Sequence, residues 1–154
     1  MIITRATVDD LPAIEALERE GFEASGWSAD AWRAEIEGAD RHVLVARDAA
    51  GDVLGVTTFQ VVFEVADLHR VVVRADQRGR GIGRRLLRAG IDWAHATGAE
   101  EVLLEVEVDN APARGLYESL GFRPLARRAD YYGPGLHALV MALDVASPEW
   151  ECSA

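Results

Sequence analysis

The chain has 154 residues, which is enough for one domain with a single hydrophobic core. Hydrophobic residues make up 49% and charged residues 27% of the sequence, so the composition excludes a disordered or fibrous protein. The formal net charge of −10 disfavours nucleic acids and anionic membranes as partners and favours an amine or a basic peptide.

Several residue types are absent or rare, and this excludes whole classes of mechanism. All 16 basic residues are arginine, so neither a lysine-dependent phosphate-binding loop nor Schiff-base chemistry is available. Cys152 is the only cysteine and the four histidines lack metal-ligand spacing, so we expect no intrachain disulfide and no metal site. The sequence has no signal-like apolar segment and no run of about 18 apolar residues, so we expect a cytoplasmic protein outside the membrane.

Apolar periodicity and capping residues predict the elements in chain order. In the first half we expect a strand over 2–6, helices over 9–21 and 29–37, and strands over 43–47, 53–63 and 68–74. Ser28 is the predicted cap of the second helix. In the second half we expect a helix over 82–97, a strand over 102–108, a helix between its cap Asn110 and Gly121, and strands over 122–129 and 136–143.

Hairpins outnumber strand–helix–strand crossovers in this order of elements. An α/β fold is therefore predicted, with a mixed, mostly antiparallel sheet of about seven strands flanked by about four helices. No repeat, linker or low-complexity segment divides the sequence, so we expect one domain over residues 1–145 and a polar tail over 146–154.

A glycine- and arginine-rich turn precedes the third predicted helix and reads Arg-Gly-Arg-Gly-Ile-Gly over residues 78–83. The first N–H groups of a helix lack internal partners and carry the positive end of its dipole, so they hold anions well. Gly81 and Gly83 would let an anion approach closely. Four arginines add positive charge around the turn: Arg78, Arg80, Arg84 and Arg85. The turn is therefore a candidate pyrophosphate site, and a purely structural turn is the alternative.

The same six residues resemble the acetyl-CoA signature of the GNAT acetyltransferases. The three valines at 71–73 stand where that family has a splayed strand, and the segment 110–122 resembles its second cofactor segment. The order of elements is also similar, so the resemblance covers nearly the whole chain. It implies that acetyl-CoA is the cofactor and that it is bound by Val71, Val72, Val73, Arg78, Gly79, Arg80, Gly81, Ile82, Gly83, Arg84, Asn110 and Tyr117.

Within this family the chain resembles the ribosomal-protein-alanine N-acetyltransferases of the RimI type. The resemblance lies in the segments 26–28, 60–62, 104–106, 116–122 and 127–132. Gly26 stands where that group often has proline, and the region after Glu105 is more acidic than is usual there. The resemblance implies acetyl transfer to the α-amino group of a protein N-terminus by direct attack within a ternary complex, in a monomer or a homodimer.

Acetyl transfer requires a neutral amine, and Glu105 is the candidate general base. It interrupts an apolar strand, where partial burial would make a carboxylate a better base. Strand alternation places Glu105 and Glu107 on one face, so a solvated acidic strip that attracts a cation is the alternative. Glu64 and His69 are reserve bases.

The reaction also requires donors for an oxyanion and a proton for the departing thiolate. Tyr117 stands at the family's acid position, and a buried aromatic residue without a catalytic role is the alternative. The resemblance implies that a backbone N–H of residues 71–73 faces the carbonyl oxygen of the thioester.

Further residues are candidates for the acceptor site, and a plain structural role is the alternative for each: Trp27, Glu64, His69, Glu107, Tyr131 and Tyr132. Two other functions stay open. One is acetylation of a small amine such as a polyamine, an amino acid or an aminoglycoside. The other is a non-catalytic acyl-CoA-binding regulatory module, which would need neither Glu105 nor Tyr117.

Overall fold

The computed structural model describes residues 1–22, 26–146 and 150. Within these ranges lie the strands and helices β1 (Ile2–Arg5), α1 (Leu11–Phe22), α2 (Ala29–Glu37), β2 (Arg41–Arg47), β3 (Val53–Val62), β4 (Val65–Val73), α3 (Ile82–Ala96), β5 (Glu101–Glu107), α4 (Ala111–Ser119), β6 (Arg123–Gly133) and β7 (Leu136–Asp144). Short 3-10 turns precede α1 and α3. Cys152 lies outside the described residues.

The strands form one seven-stranded sheet within the described part of the chain, in the order β1-β2-β3-β4-β5-β7-β6. Neighbours β4 and β5 run parallel, and the other neighbouring pairs run antiparallel. The mixed, mostly antiparallel α/β fold predicted from the sequence is therefore confirmed.

The helices divide between the two faces of the sheet, and each pair buries its own core. Helices α1 and α2 pack on one face through a core that contains Ile14, Leu17, Trp32, Val45, Val56 and Val72. Helices α3 and α4 pack on the other face through a core that contains Phe59, Leu87, Ile91, Leu104, Leu120 and Met141. These two layers hold the central strands from both sides.

Gly90 lets α3 lie directly on the sheet. A Cβ atom at this position would come within 2.0 Å of the Phe59 ring on β3. Because both residues are buried, neither has room to move aside. This contact fixes α3 against β3 and so fixes the glycine turn from which α3 begins.

The sheet opens between β4 and β5. The two strands pair over three residues each, and their last pair is Asp67 with Leu103. Beyond that point β4 stays paired with β3 and β5 stays paired with β7. A gap therefore runs from this last pair toward the C-terminal ends of both strands, and residues 71–73 lie along it.

The β4 strand begins at Val65, three residues before the predicted start at 68. Val62 pairs directly with Val65, so Phe63 and Glu64 form a two-residue turn between β3 and β4. Phe63 adopts a left-handed conformation (φ 56°), which is uncommon for a bulky residue. The sequence prediction missed this turn because it contains no glycine, asparagine, aspartate or proline.

Trp150 falls in the predicted polar tail, yet its side chain is buried. It is 6% exposed and belongs to the core that α3 and α4 form with the sheet. The Arg88 guanidinium lies 4.5 Å from the centroid of its ring. The core of the domain therefore includes a residue beyond position 145.

Candidate active site

The glycine turn gives α3 an uncapped start. Gly79 (φ 77°) and Gly81 (φ 80°) adopt left-handed conformations, and Gly81 is the N-cap of the helix. No side chain of the described residues caps α3, and a Cβ atom on either glycine would meet no atom within 4 Å. The first N–H groups of α3 therefore face open space in which an anion would be stabilised.

Gly83 shows where this turn lies relative to the gap. A Cβ atom on Gly83 would lie 3.5 Å from Val73 Cγ2 on β4 and 3.6 Å from Leu116 Cδ2 on α4. The start of α3 is therefore packed between the end of β4 and α4, at the open end of the gap. Asn110 begins α4 a few residues after β5 ends, so the predicted cofactor residues lie around one opening.

The arginines of the turn keep exposed surface around this opening. Arg78 donates a hydrogen bond from Nε to the carbonyl oxygen of Val73 at 3.2 Å. Arg84 donates to the hydroxyl and carbonyl oxygens of Ser119 and so ties α3 to α4. Arg80 is exposed as well. Positive charge therefore surrounds the uncapped helix start, as a pyrophosphate would require.

Tyr117 lies on α4 with its phenol in a buried environment. Asn110 caps this helix by accepting a hydrogen bond from the N–H of Ala113 at 3.2 Å, as predicted. Tyr117 is 8% exposed and packs edge-on against Phe122, with ring centroids 6.0 Å apart. Burial, with a smaller contribution from Tyr132, raises the pKa of Tyr117 to about 12. Its hydroxyl therefore stays protonated at neutral pH and is available as a donor.

Strand β5 presents acidic side chains on the face that α3 and α4 do not cover. Glu105 and Glu107 lie on this face, and Val102, Leu104 and Val106 are buried on the other. The alternation predicted from the sequence is therefore confirmed. An acidic surface lies beside the gap, as a cationic acceptor would require.

Glu105 is engaged by the neighbouring strand β6. Its carboxylate accepts a hydrogen bond from Arg128 Nη1 at 2.8 Å, with 32% of the Glu105 side chain and 52% of the Arg128 side chain exposed. The Arg128 guanidinium lies 4.3 Å from the centroid of the Tyr131 ring. A hydrogen bond to Glu105, assisted by burial, raises the pKa of the Tyr131 hydroxyl. The carboxylate is thus held in place yet accessible from solvent.

Tyr132 connects this acidic face with β4 and α4. Burial, and next the charge of Glu105, raise the pKa of Tyr132, whereas Arg70 on β4 opposes the rise. Tyr132 in turn contributes to the raised pKa of Tyr117. Tyr132 is therefore coupled electrostatically to groups on β4, β5 and α4.

Asp67 is a further ionisable residue beside the gap, and it is not among the site residues predicted from the sequence. It is half-buried on β4 in the last residue pair before the gap. Burial, reinforced by the charge of Glu105 and opposed by His69, raises the pKa of the Asp67 carboxyl. Strand alternation is the one sequence signal that could have indicated Asp67, but the predicted strand begins at residue 68 and so excludes it.

A buried ion pair supports β4 from the side of α1. Glu18 is 2% exposed and accepts hydrogen bonds from Arg70 Nε and Nη2, both at 2.9 Å. The same carboxylate accepts from the backbone N–H of Trp27 at 3.1 Å and from Trp32 Nε1 at 3.2 Å. Trp27 is half-buried at this wall, whereas Trp32 is fully buried in the core.

A second buried carboxylate holds His69. The Nδ1 atom of His69 lies 2.6 Å from Glu35 Oε1, and Thr58 and Arg41 donate hydrogen bonds to the same carboxylate. Burial alone would raise the pKa of Glu35, but His69 and Arg41 outweigh it and lower this pKa. His69 therefore contributes one ring nitrogen to the structure.

The predicted site residues thus divide between the two ends of the gap. Glu64 lies in the β3–β4 turn, where its carbonyl oxygen accepts hydrogen bonds from the N–H groups of Glu100 and Glu101. It therefore lies at the closed end, about 16 Å along the strand from the level of Glu105. The structure does not bring Glu64 together with the other candidates.

Within residues 1–22, 26–146 and 150, no three His, Cys, Asp or Glu side chains are grouped to hold a metal ion. None of the helices in the described ranges is both long and apolar enough to span a bilayer.

Known proteins that are similar to this chain in sequence or fold include several acetyltransferases. The model of the acetyltransferase (GNAT) family matches residues 7–122. A crystal structure of the ribosomal-protein-S18-alanine N-acetyltransferase from Escherichia coli superposes with a TM-score of 0.86 at 31% identity, covering 95% of this chain and 94% of that one.

Two further relatives match over parts of their length. The mycothiol acetyltransferase of Clavibacter michiganensis subsp. michiganensis (strain NCPPB 382) is 42% identical over 89 residues, which are 58% of this chain and 29% of that protein. The L-methionine sulfoximine/L-methionine sulfone acetyltransferase of Pseudomonas aeruginosa PAO1 is 42% identical over 85 residues, 52% of this chain and 49% of that protein. The chain therefore spans less than half the length of these two relatives.

The matched region contains the glycine turn, the β4–β5 gap and the helix that carries Tyr117. The chain belongs to the GNAT family of acetyltransferases, an acyltransferase enzyme similar to the ribosomal-protein-alanine N-acetyltransferases within it.

Proposed function

We propose that the chain transfers the acetyl group of acetyl-CoA to the α-amino group of a protein N-terminus. One observation carries the proposal. The sheet opens between β4 and β5, with the uncapped start of α3 at the opening, and Glu105 and Tyr117 lie beside it on β5 and α4.

The opening suits acetyl-CoA, which supplies the acetyl group as a thioester when it is bound. The free N–H groups at the start of α3 would hold its pyrophosphate, and Arg78 and Arg80 would add charge. The β4 backbone beyond Asp67 is not paired with β5, so the N–H groups of residues 71–73 that face the gap are available to the acyl chain and its carbonyl.

Glu105 is the base in this proposal. An α-amino group has a pKa of about 8, so about a tenth of it is neutral at pH 7, whereas a lysine amine is neutral in about one molecule in several thousand. A solvent-accessible carboxylate beside the gap, acting directly or through a water, is sufficient for an α-amine. Asp67 adds a second carboxyl group to the acceptor side of the gap.

Tyr117 is the acid. Its raised pKa keeps the phenol protonated under all physiological conditions, so it can protonate the departing thiolate. Arg70, Tyr131 and Tyr132 are the groups that would line the acceptor channel.

A small-molecule acceptor is the second candidate. It is favoured by the similarity to the methionine sulfoximine acetyltransferase over about half of this chain. A non-catalytic acyl-CoA-binding module is disfavoured, because it has no need of Glu105 and Tyr117 beside the same gap.

A mass-spectrometric screen with acetyl-CoA tests the proposal. The panel contains peptides that begin with Ala, Ser or Met, a blocked peptide with an internal lysine, spermidine and free methionine. We expect α-acetylation of one class of peptide. Acetylation of only the internal lysine, spermidine or methionine would overturn the N-terminal assignment, and transfer to none of them would overturn the enzyme assignment.

Glu105→Gln tests the proposed base, with Glu101→Gln as the matched control. Both residues lie on the same face of β5, but Glu101 pairs with Val65 at the closed end. We expect Glu105→Gln to lower kcat/KM for the best acceptor by about a hundredfold and to leave CoA binding unchanged, because a positioned base contributes at least that much. Equal effects of the two substitutions would contradict the assignment.

A further inference from the structure

Arg70 lies across the gap from the proposed base. It is three residues beyond Asp67 on β4, and Glu105 is two residues beyond Leu103 on β5, so both follow the last pair of the two strands. Its side chain is 18% exposed, and its charge acts on Tyr132, as does the charge of Glu105. Arg70 therefore borders the same acceptor channel from the opposite strand.

The guanidinium of Arg70 is held firmly by three neighbours. Two of its nitrogens donate to the two carboxylate oxygens of Glu18, and its Cζ atom lies 3.6 Å from the centroid of the Phe22 ring and 5.2 Å from that of Trp27. A guanidinium fixed in this way loses little conformational entropy when it forms another hydrogen bond.

The Nη1 nitrogen of Arg70 does not take part in the hydrogen bonds to Glu18. An arginine has five N–H donors, and the hydrogen bonds to Glu18 use Nε and Nη2. None of the hydrogen bonds recorded in the described part of the chain uses Nη1. This nitrogen is not among the buried polar atoms that lack a partner, so it reaches the accessible surface. One N–H donor of a fixed guanidinium is therefore open to solvent.

The charges around Arg70 indicate which kind of acceptor group its Nη1 donor would bind. The Glu18 carboxylate compensates the positive charge of Arg70, and Asp67, Glu105 and Glu107 make the surroundings acidic. A free carboxylate would be repelled by these three groups, whereas a neutral carbonyl oxygen would gain a directional hydrogen bond without that cost.

We propose that Arg70 is a specificity-determining residue that donates a hydrogen bond from Nη1 to the carbonyl oxygen next to the acceptor amine. The inference rests on the proposed function and narrows its substrate class. Glu105 and Glu107 attract the amine from the β5 side of the gap, and Arg70 on β4 recognises the carbonyl group one carbon away from that amine. The enzyme would thus select α-aminoacyl groups, as at a peptide N-terminus, over polyamines and simple amines.

A pair of small acceptors tests this contact. Glycinamide has its amine one carbon from a carbonyl, and propargylamine is a primary amine of similar basicity that has none. We expect kcat/KM to be at least about tenfold higher for glycinamide in the wild type, because a hydrogen bond to a charged donor contributes about that factor. Equal values for the two acceptors would overturn the inference.

Arg70→Lys removes the guanidinium and keeps the positive charge beside Glu18. Arg41→Lys is the matched control, because Arg41 forms the equivalent pair with the buried Glu35. We expect Arg70→Lys to reduce the preference for glycinamide about tenfold and Arg41→Lys to preserve it. A merely structural role for Arg70 would lower the rates with both acceptors and leave their ratio unchanged, which would overturn the inference.

Calorimetry separates this inference from the proposed function. Glycinamide is titrated into the wild type and Arg70→Lys in the presence of CoA, where no turnover occurs. About tenfold weaker binding to the variant supports the contact with Arg70, and equal binding overturns it. Failure of the proposed function would instead be seen as absence of α-acetylation of every peptide in the mass-spectrometric screen with the wild type.

Discussion

The ionisable residues beside the gap differ in their surroundings more than in their chemistry. Tyr117 is buried on α4 and its pKa is raised to about 12, whereas Tyr131 is exposed and hydrogen-bonded to Glu105. Asp67 is half-buried, whereas Glu105 accepts a hydrogen bond from Arg128 and is open to solvent. Residues of the same type are therefore suited to different roles because of their burial and partners.

The raised pKa of Tyr117 predicts the alkaline side of the rate profile. The phenol is an acid only while protonated, so its contribution is complete well below pH 12 and is lost as the pH rises through that value. At pH 10 we expect kcat within about 10% of its plateau, whereas a tyrosine of ordinary pKa would already be half ionised. Steady-state assays between pH 7 and about 10.5 measure this.

Tyr117→Phe is the control for that profile. Phenylalanine preserves the edge-on packing with Phe122 but removes the hydroxyl. We expect kcat to fall about a hundredfold in this variant, with CoA binding retained. A wild-type profile that declines with a midpoint near pH 10 would show that Tyr117 is not the acid or is not shielded as the structure indicates.

Caps and turns determined how well each element could be predicted from the sequence. Ser28 accepts a hydrogen bond from the N–H of Ala31, and α2 has the predicted bounds because such a cap is local in sequence. The start of β4 was missed because Phe63 occupies a left-handed conformation for which the sequence has no signal. Asp67 was missed for the same reason, since it lay before the predicted strand.

Gly81 provides a test of the start of α3, with Gly51 as the matched control. Both have φ between 80° and 89°, and a Cβ atom on either would meet no atom within 4 Å. We expect Gly81→Ala and Gly51→Ala to lower the free energy of unfolding by a similar 1–2 kcal/mol, roughly the cost of a left-handed alanine. Only Gly81→Ala should weaken CoA binding, by about tenfold or more, because its methyl group would occupy open space that a bound anion needs at the start of α3.

Urea denaturation and calorimetry with CoA measure the two quantities separately. If Gly81→Ala and Gly51→Ala bound CoA equally well, the start of α3 would not be the anion site.

Ion pairs that join distant parts of the chain could not be predicted from spacing. Arg70 and Glu18 are 52 residues apart in sequence, and His69 and Glu35 are 34 apart. Each carboxylate is on a helix and each partner is on β4. Only the three-dimensional arrangement of α1, α2 and β4 brings them together, so the sequence pattern could suggest His69 as a candidate but not the buried carboxylates that hold His69 and Arg70.

The stability of the folded protein in acid depends on ion pairs such as that between Asp10 and Arg47. The Arg47 hydrogen bond, opposed by burial and assisted by Thr7, lowers the pKa of Asp10. A carboxyl with a lowered pKa stabilises the fold above its unfolded pKa of about 4, and this stabilisation is lost as the pH falls through its folded value. We therefore expect the free energy of unfolding to decline below pH 4 to 5.

We expect Asp10→Asn to lower the free energy of unfolding by about 1–2 kcal/mol at pH 7 and to make the decline of this free energy in acid shallower. Asp9→Asn is the control, since Asp9 is the exposed neighbour in the same turn. Urea denaturation between pH 3 and 7 measures both variants. Parallel curves for Asp10→Asn and the wild type would contradict the assigned contribution of Asp10.

The gap between β4 and β5 has a consequence for hydrogen exchange. Central strands normally hold the slowest-exchanging amides of a protein, because both of their edges are hydrogen-bonded. In this chain β4 is central, yet from Leu68 to Val73 one of its edges lacks a neighbouring strand. Deuterium should therefore enter the middle of the sheet quickly in the free protein, and a ligand that fills the gap should slow its entry by acting as the missing strand.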